Sequence, residues 1–370
     1  MFKLNNNPLQ QNSIPFYTNI FATVNTTRVN YDDMYYFNVA VSNVVYPSTN
    51  IDWRPHAVIL VPSDMWQYGT CASSIVHFPV NAPVLFTERN FMPPVIINEI
   101  LRLDPSGEDV PAKILIAGPV SKGVEDYIRT FGLTTYRITS SEDVFSACAE
   151  MADFRLNLVP PTSEEGKNDV MVISGENYAE GIISVFYAAH KGTPIIIVGQ
   201  NNIPLPIQNF ISRNQNKNYY IIGSAFTVSE IVESQIRSMI QGNVSRISGY
   251  DPFSISVNFS RYESPVDSFG WKHNKSGGWA FSYSDLSKWY HILSGVLFAH
   301  LGKHTPLLLV TANTLPDVVR NYVLSINPDK EMPDMPPYMH AYILGSFYDI
   351  SHDTQVEIEK IMDMQSKMEH

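Results

Sequence analysis

Nine short apolar runs punctuate the chain, at residues 57–61, 83–87, 113–118, 170–173, 194–198, 219–223, 279–283, 306–310 and 341–345. Each is apolar at consecutive positions and of strand length, the pattern of strands buried on both faces of a parallel sheet. Between them lie stretches with helical spacing, at 35–45, 71–78, 92–103, 121–131, 144–152, 179–191, 206–213, 229–241, 253–259, 289–301, 316–324 and 353–362. Strands alternating with helices of this length predict right-handed βαβ units and a parallel sheet. The expected class is α/β, built from small doubly wound units.

The pattern also recurs. Thr27-Arg28-Val29, Tyr136-Arg137-Ile138 and Ser245-Arg246-Ile247 place their arginines 109 residues apart, from 28 to 137 and again from 137 to 246. An apolar helical stretch follows each arginine. Pro83, Pro194 and Pro306 each open an apolar strand, and Gly118, Gly223 and Gly345 each end one. A step of this size suggests a copied domain, not a solenoid of 20 to 50 residues. The expected division is an arm at 1–26 and α/β units at 27–135, 136–244 and 245–370. Residues 133–138 read as the last strand before the second copy, and residues 262–278 as a polar insertion in the third.

Composition narrows the function. Charged residues are only 16%, well under the usual quarter, while there are 20 Tyr. That suits a surface packing against proteins or sugars. The net charge of −11 argues against a broad nucleic-acid footprint, which needs clustered Lys and Arg. Cys71 and Cys148 read as buried free thiols. No apolar run approaches the roughly 20 residues of a membrane span. No signal peptide is visible in this numbering, so a cytoplasmic place or non-classical export is the expectation from the residues alone.

The order Arg-Ile, helix, apolar strand, helix, Pro-led strand, helix, strand ending in Gly, helix resembles the type-2 cell-wall-binding repeat of Gram-positive surface-layer and wall-anchored proteins. Its clearest pieces are Ala82 to Thr87, Thr193 to Val198 and Arg246-Ile247-Ser248-Gly249, with Ile100 to Pro105 as a further match. The resemblance covers residues 27 to about 362. It implies three tandem Rossmann- or Toprim-like modules in a pseudo-threefold arrangement, attached to an anionic wall polymer without catalysis, at the cell surface. The chain departs from the family pattern in two places. Asp251-Pro252 and Asp32-Asp33 stand where a second arginine is common, and Glu180 replaces an aspartate before the second helix.

The candidate ligand-binding residues are Arg28, Arg137 and Arg246, each at a strand end before a helix, where open α/β sheets bind ligands. A guanidinium there can hold a phosphate or carboxylate in a bidentate pair, or tie one unit to the next. Thr87, Gly199 and Thr311 follow the second strands and could line the same crevices, or simply turn the chain. His300 and His304 are spaced for one helix face, but Gly302 and Pro306 mark a helix end. Asp349, His352 and Asp353 read as a helix cap. No metal, cofactor or catalytic residue is expected, since the chain has no Gly-x-Gly-x-x-Gly, Walker or Gly-x-Ser-x-Gly pattern. The expected function is a non-catalytic scaffold recognising a wall polysaccharide or glycan. The alternative is a self-assembling subunit of a layer, tube or filament, linked through its N-terminal arm.

Overall fold

The computed structural model describes residues 19–47, 53–158, 168–327 and 339–363. In chain order the strands are β1 (Ile20–Ala22), β2 (Thr26–Val29), β3 (Val58–Pro62), β4 (Val84–Thr87), β5 (Ile114–Ala117) and β6 (Thr135–Thr139). Then come β7 (Asp169–Ser174), β8 (Ile195–Val198), β9 (Asn218–Ile222) and β10 (Val244–Ile247), and finally β11 (Ala280–Ser284), β12 (Leu307–Leu309) and β13 (His340–Leu344).

These strands form three sheets with one order: β4-β3-β5-β6, β8-β7-β9-β10 and β12-β11-β13-β2-β1. Every neighbouring pair is parallel except β1 with β2. The expected α/β class with parallel sheets is what the chain adopts. The arginine strands, however, belong to the sheets that precede them. Arg137 lies in β6 beside β5, and Arg246 in β10 beside β9. Arg28 lies in β2, which joins the last sheet beside β13. A segment starting at residue 27 therefore gives its first strand to the far end of the chain.

The apolar runs are buried as their composition dictates. All residues of β3, β4, β5, β8 and β12 are buried. In β8, Ile195, Ile196 and Ile197 are fully enclosed, each burial stabilising by about 1.5–3 kcal/mol. Serines at 121, 229 and 351 cap helices Lys122–Arg129, Glu230–Met239 and His352–Met362, accepting the backbone N–H three residues on. Pro93, Pro204 and Pro316 cap helices Pro94–Leu103, Leu205–Arg213 and Asp317–Ile326. The helical stretches expected at 71–78 and 289–301 begin as Trp66–Ala72 and Trp289–Gly295 and tighten into 3₁₀ turns, Ser73–Val76 and Val296–Ala299.

Helices from the three parts meet directly. A Cβ on Gly69 would lie 2.7 Å from Leu293, and one on Gly295 3.3 Å from Phe186, so glycine allows both approaches. Cys71 and Cys148 are buried free thiols, as expected, and they face one another across such a contact. Of the arm, residues 19–26 are described, and Phe21 packs edge-on to Phe347 at 5.1 Å, in the turn that follows β13 of the chain's own last sheet. The rest of the arm lies outside the described residues. Among the described residues, no helix is long and apolar enough to cross a membrane.

Candidate functional site

The three arginines occupy one register. Arg137 pairs with Ile116, Arg246 with Ile221 and Arg28 with Ile343. Two residues beyond each isoleucine stands a glycine with left-handed φ: 142° at Gly118, 138° at Gly223 and 134° at Gly345. Side chains rarely adopt that conformation. Each guanidinium reaches round this turn to the following helix. Arg137 donates to Val120 O at 2.8 Å and to Glu125 Oε2 at 2.7 Å. Arg246 donates to Gly223 O at 3.0 Å and to Glu233 Oε2 at 2.8 Å. Arg28 donates to Gly345 O at 2.9 Å, Ser346 O at 3.0 Å and Gln355 Oε1 at 2.8 Å. Glu125, Glu233 and Gln355 each sit four residues after the capping serine.

The three differ in access. Arg28 is fully buried, with its guanidinium 4.3 Å from the Phe347 ring, and no ligand can reach it. Burial lowers its pKa to about 10, against the pull of nearby Asp349. The side chains of Arg137 and Arg246 keep 25% and 15% exposure. Burial pushes Glu125 and Glu233 up, but bonds from Arg137 and Thr135 in one case and from Arg237 and Arg246 in the other hold them below the ordinary range.

Thr87, Gly199 and Thr311 turn the chain after β4, β8 and β12. Thr87 is buried and its hydroxyl donates to Phe91 O at 3.0 Å. The N–H of Gly199 donates to Asn202 O, and that of Thr311 to Thr314 O. Just beyond them, the carbonyls of Arg89, Gln200 and Ala312 accept the N–H of the capping serines 121, 229 and 351. These turns fix the helix starts.

Arg246 lines a surface hollow of about 490 Å³. Ser248, Asn258, Arg261, Glu263 and Asn274 form its walls with it. A second hollow of about 450 Å³ shares Ser248, Asn258 and Arg261 and adds Gly249 and Tyr250, whose ring is fully exposed. The walls are themselves ordered. Asn258 donates to Ser248 O at 2.7 Å, Arg261 donates to Asn258 Oδ1 at 2.7 Å, and Asn274 donates to Glu263 Oε2 at 3.2 Å. Nη2 of Arg246 is itself buried and has no hydrogen-bond partner among the described residues. The site thus offers two guanidiniums, amides, hydroxyls and one open aromatic face, a set suited to sugar hydroxyls and acidic groups.

The insertion at 262–278 builds the far wall. Phe269 stacks on Tyr220 at 3.6 Å and Trp271 on His190 at 4.8 Å, anchoring it to the second sheet and its helix Ser184–Lys191. Sequence reasoning found Arg246 and the insertion but missed Arg261, Asn258, Asn274 and Tyr250. For Asn274 the polar composition of the insertion was the available signal; Tyr250, Asn258 and Arg261 lie before the insertion and had none.

Other singled-out residues have local roles. His300 and His304 do not share a helix face; His300 meets Asn81 Oδ1 at 2.8 Å and His304 meets His190 at 3.1 Å. Asp349 accepts the N–H of Ser346 at 2.8 Å and pairs with Lys288 at 2.8 Å. Glu180 does the corresponding work beside the second sheet, accepting Ser224 N–H at 2.7 Å. Among the described residues, no three His, Cys, Asp or Glu gather as metal ligands do.

Two solved structures share the fold. Cwp8 from Clostridium difficile matches with a TM-score of 0.71 and 20% identity, covering 92% of this chain and 52% of that one. Cwp6 from Clostridium difficile matches with a TM-score of 0.70 and 16% identity, covering 90% and 47%. Over 215 residues the chain is 26% identical to the Amidase enhancer of Bacillus subtilis (strain 168), 57% of this chain and 27% of that protein. The chain spans about half the length of the two solved chains and about a quarter of the curated relative. No protein-family profile matches it.

Proposed function

We propose that the chain is a non-catalytic, cell-wall-associated binding module that holds a wall polysaccharide or glycan in the hollow around Arg246 and Arg261. The observation that carries this reading is the hollow itself, where two guanidiniums, three amide or hydroxyl walls and the exposed Tyr250 converge. The fold shared with the Clostridium difficile cell wall proteins Cwp6 and Cwp8 supports it. The common strand order and arginine register further support three modules set in pseudo-threefold fashion. In this reading Arg28 is a strut, Arg137 a partly exposed clamp, and Arg246 both clamp and ligand contact.

The test is a pull-down with purified walls, with and without their secondary polymer. Arg261 is exposed and bonds only to Asn258 among the described contacts, so Arg261→Ala leaves the fold intact. Losing one charge-assisted bond should weaken binding by about 1.5–3 kcal/mol, roughly 10- to 100-fold. Equal retention of wild type on walls stripped of polymer would sink the reading.

A further inference from the structure

The insertion that walls the hollow is held at its other end by a pair of carboxyl groups. Asp169 opens β7 and Asp267 lies in the insertion, and one amide serves both: Asn218 Nδ2 donates to Asp267 Oδ2 at 2.7 Å and to Asp169 Oδ1 at 3.4 Å. The orientation of that amide is set from behind, because its Oδ1 accepts the N–H of Asn243 at 3.0 Å. Asp267 is richly bonded. It accepts Tyr220 O–H at 2.7 Å and Phe269 N–H at 2.9 Å. Tyr220 O–H also lies 2.8 Å from Ser264 Oγ. Asp169 has far less to hold a negative charge.

We propose that Asp169 and Asp267 share one proton and so form an acid-tightened latch, which fixes residues 262–278 against the second sheet and sets the wall of the Arg246 hollow. Two carboxylates on one amide cannot both ionise without repelling. The proton sits on Asp169, because Asp267 already accepts enough bonds to remain ionised. Loss of that proton leaves like charges across the joint between insertion and sheet. The release is local, since Phe269 and Trp271 keep their ring contacts, and it shifts Glu263 and Asn274, which belong to the same insertion.

The pKa directions agree with this geometry. Burial and then the Asp267 charge raise Asp169 to about 7, while Lys217 and Asn218 oppose. Burial raises Asp267, but Tyr220, Phe269, Ser264 and Asp169 outweigh it and hold it low. Tyr220 and Tyr262 also face the pair and are pushed up, first by burial, so neither ionises in the working range. His190 touches the insertion through Trp271 and His273 belongs to it, and burial lowers them to about 2 and about 4. The sign is then clear. A folded pKa raised above the unfolded 3.8 gives stability that is full below 3.8 and lost as pH rises through about 7.

The proposal rests on the hollow reading only for its consequence, and its test needs no ligand. Hydrogen exchange at the amides of Phe269 and Gly270, corrected for intrinsic rate, reads the docking of the insertion. Between about pH 6 and about pH 8, protection in the wild type should fall roughly tenfold, the linkage expected of one proton released near 7. Asp169→Asn cannot lose that proton and should hold protection constant. An equal fall in Asp169→Asn, or none in the wild type, overturns the latch. Restoration of wild-type protection at high pH by calcium alone would also overturn it, because the pair would then be a cation site. Should Asp169→Asn fail to fold, the carboxyl carbon of Asp169 in the wild type decides: a midpoint near 7 supports the latch, and one in the ordinary carboxylate range refutes it.

Discussion

Arg28 and Gln355 are 327 residues apart in sequence and joined by a 2.8 Å hydrogen bond. The bond ties β2, the second described strand, to His352–Met362, the last described helix. It repeats the Arg137–Glu125 and Arg246–Glu233 contacts with a neutral partner. The charge on Arg28 is compensated instead by carbonyls, the Phe347 ring and Asp349 nearby. With Asp349 already enclosed nearby, an amide at Gln355 spares the site a further buried ion, whose desolvation is expensive.

Removing that strut should loosen the whole last sheet. Arg28→Ala leaves the carbonyls of Gly345 and Ser346 without their donor, at about 1–3 kcal/mol for each buried group. Chemical denaturation should show a lower midpoint with one cooperative transition. A variant as stable as wild type would show that β2 is held by strand pairing alone.

Acid should attack the other two clamps. Glu125 and Glu233 have folded pKa values held below the ordinary 4.5. Their contribution is therefore complete above 4.5 and disappears as pH falls through the lower folded values. Glu125→Gln and Glu233→Gln should each flatten the stability profile in that range, measured by urea midpoints. An unchanged slope would mean the ion pairs contribute equally to the unfolded chain.

The buried histidines add a second acid response at higher pH. Burial holds His190 near 2, His273 near 4 and His291 near 4. Their neutral forms stabilise the fold above 6.5, and that stability declines as pH falls below 6.5 toward the folded values. His190→Phe keeps a ring against Trp271 and should remove part of the decline. Identical profiles for variant and wild type would contradict this assignment.

The two thiols should be silent. Burial and then the neighbouring Cys148 raise Cys71 well above its ordinary value, and both side chains are enclosed. A thiol reagent should therefore label neither residue in the native protein and both after unfolding. Rapid native labelling would imply an opening between the helices Trp66–Ala72 and Val144–Leu158.

Much of the fold was legible because the cores are built from consecutive apolar residues. Runs such as 194–198 admit little else than a doubly buried strand, and Gly118, Gly223 and Gly345 mark their ends. The period of the arginines was legible for a physical reason as well, since each must meet the same glycine turn and the same helix position. What the strand carrying Arg28 would pair with was not legible. Its partner, β13, lies more than 300 residues away, and nothing local distinguishes it from β3. The hollow was half legible. Arg246 stood out by repetition, whereas Arg261, Asn258 and Tyr250 have no repeated counterpart. The insertion read as polar because Phe269 and Trp271 stand among Ser, Asp, Lys, Asn and Gly; that Gly270, with φ of 112°, lets the two rings reach Tyr220 and His190 was not legible.

The most direct measurement of the account is a titration of isotopically labelled protein with purified wall polysaccharide, followed by amide shifts. The account predicts saturable shifts concentrated at Ser248, Gly249, Tyr250, Arg261 and Asn274, lost in Arg261→Ala. Shifts gathered at the Arg137 edge, with none around the hollow, would contradict it.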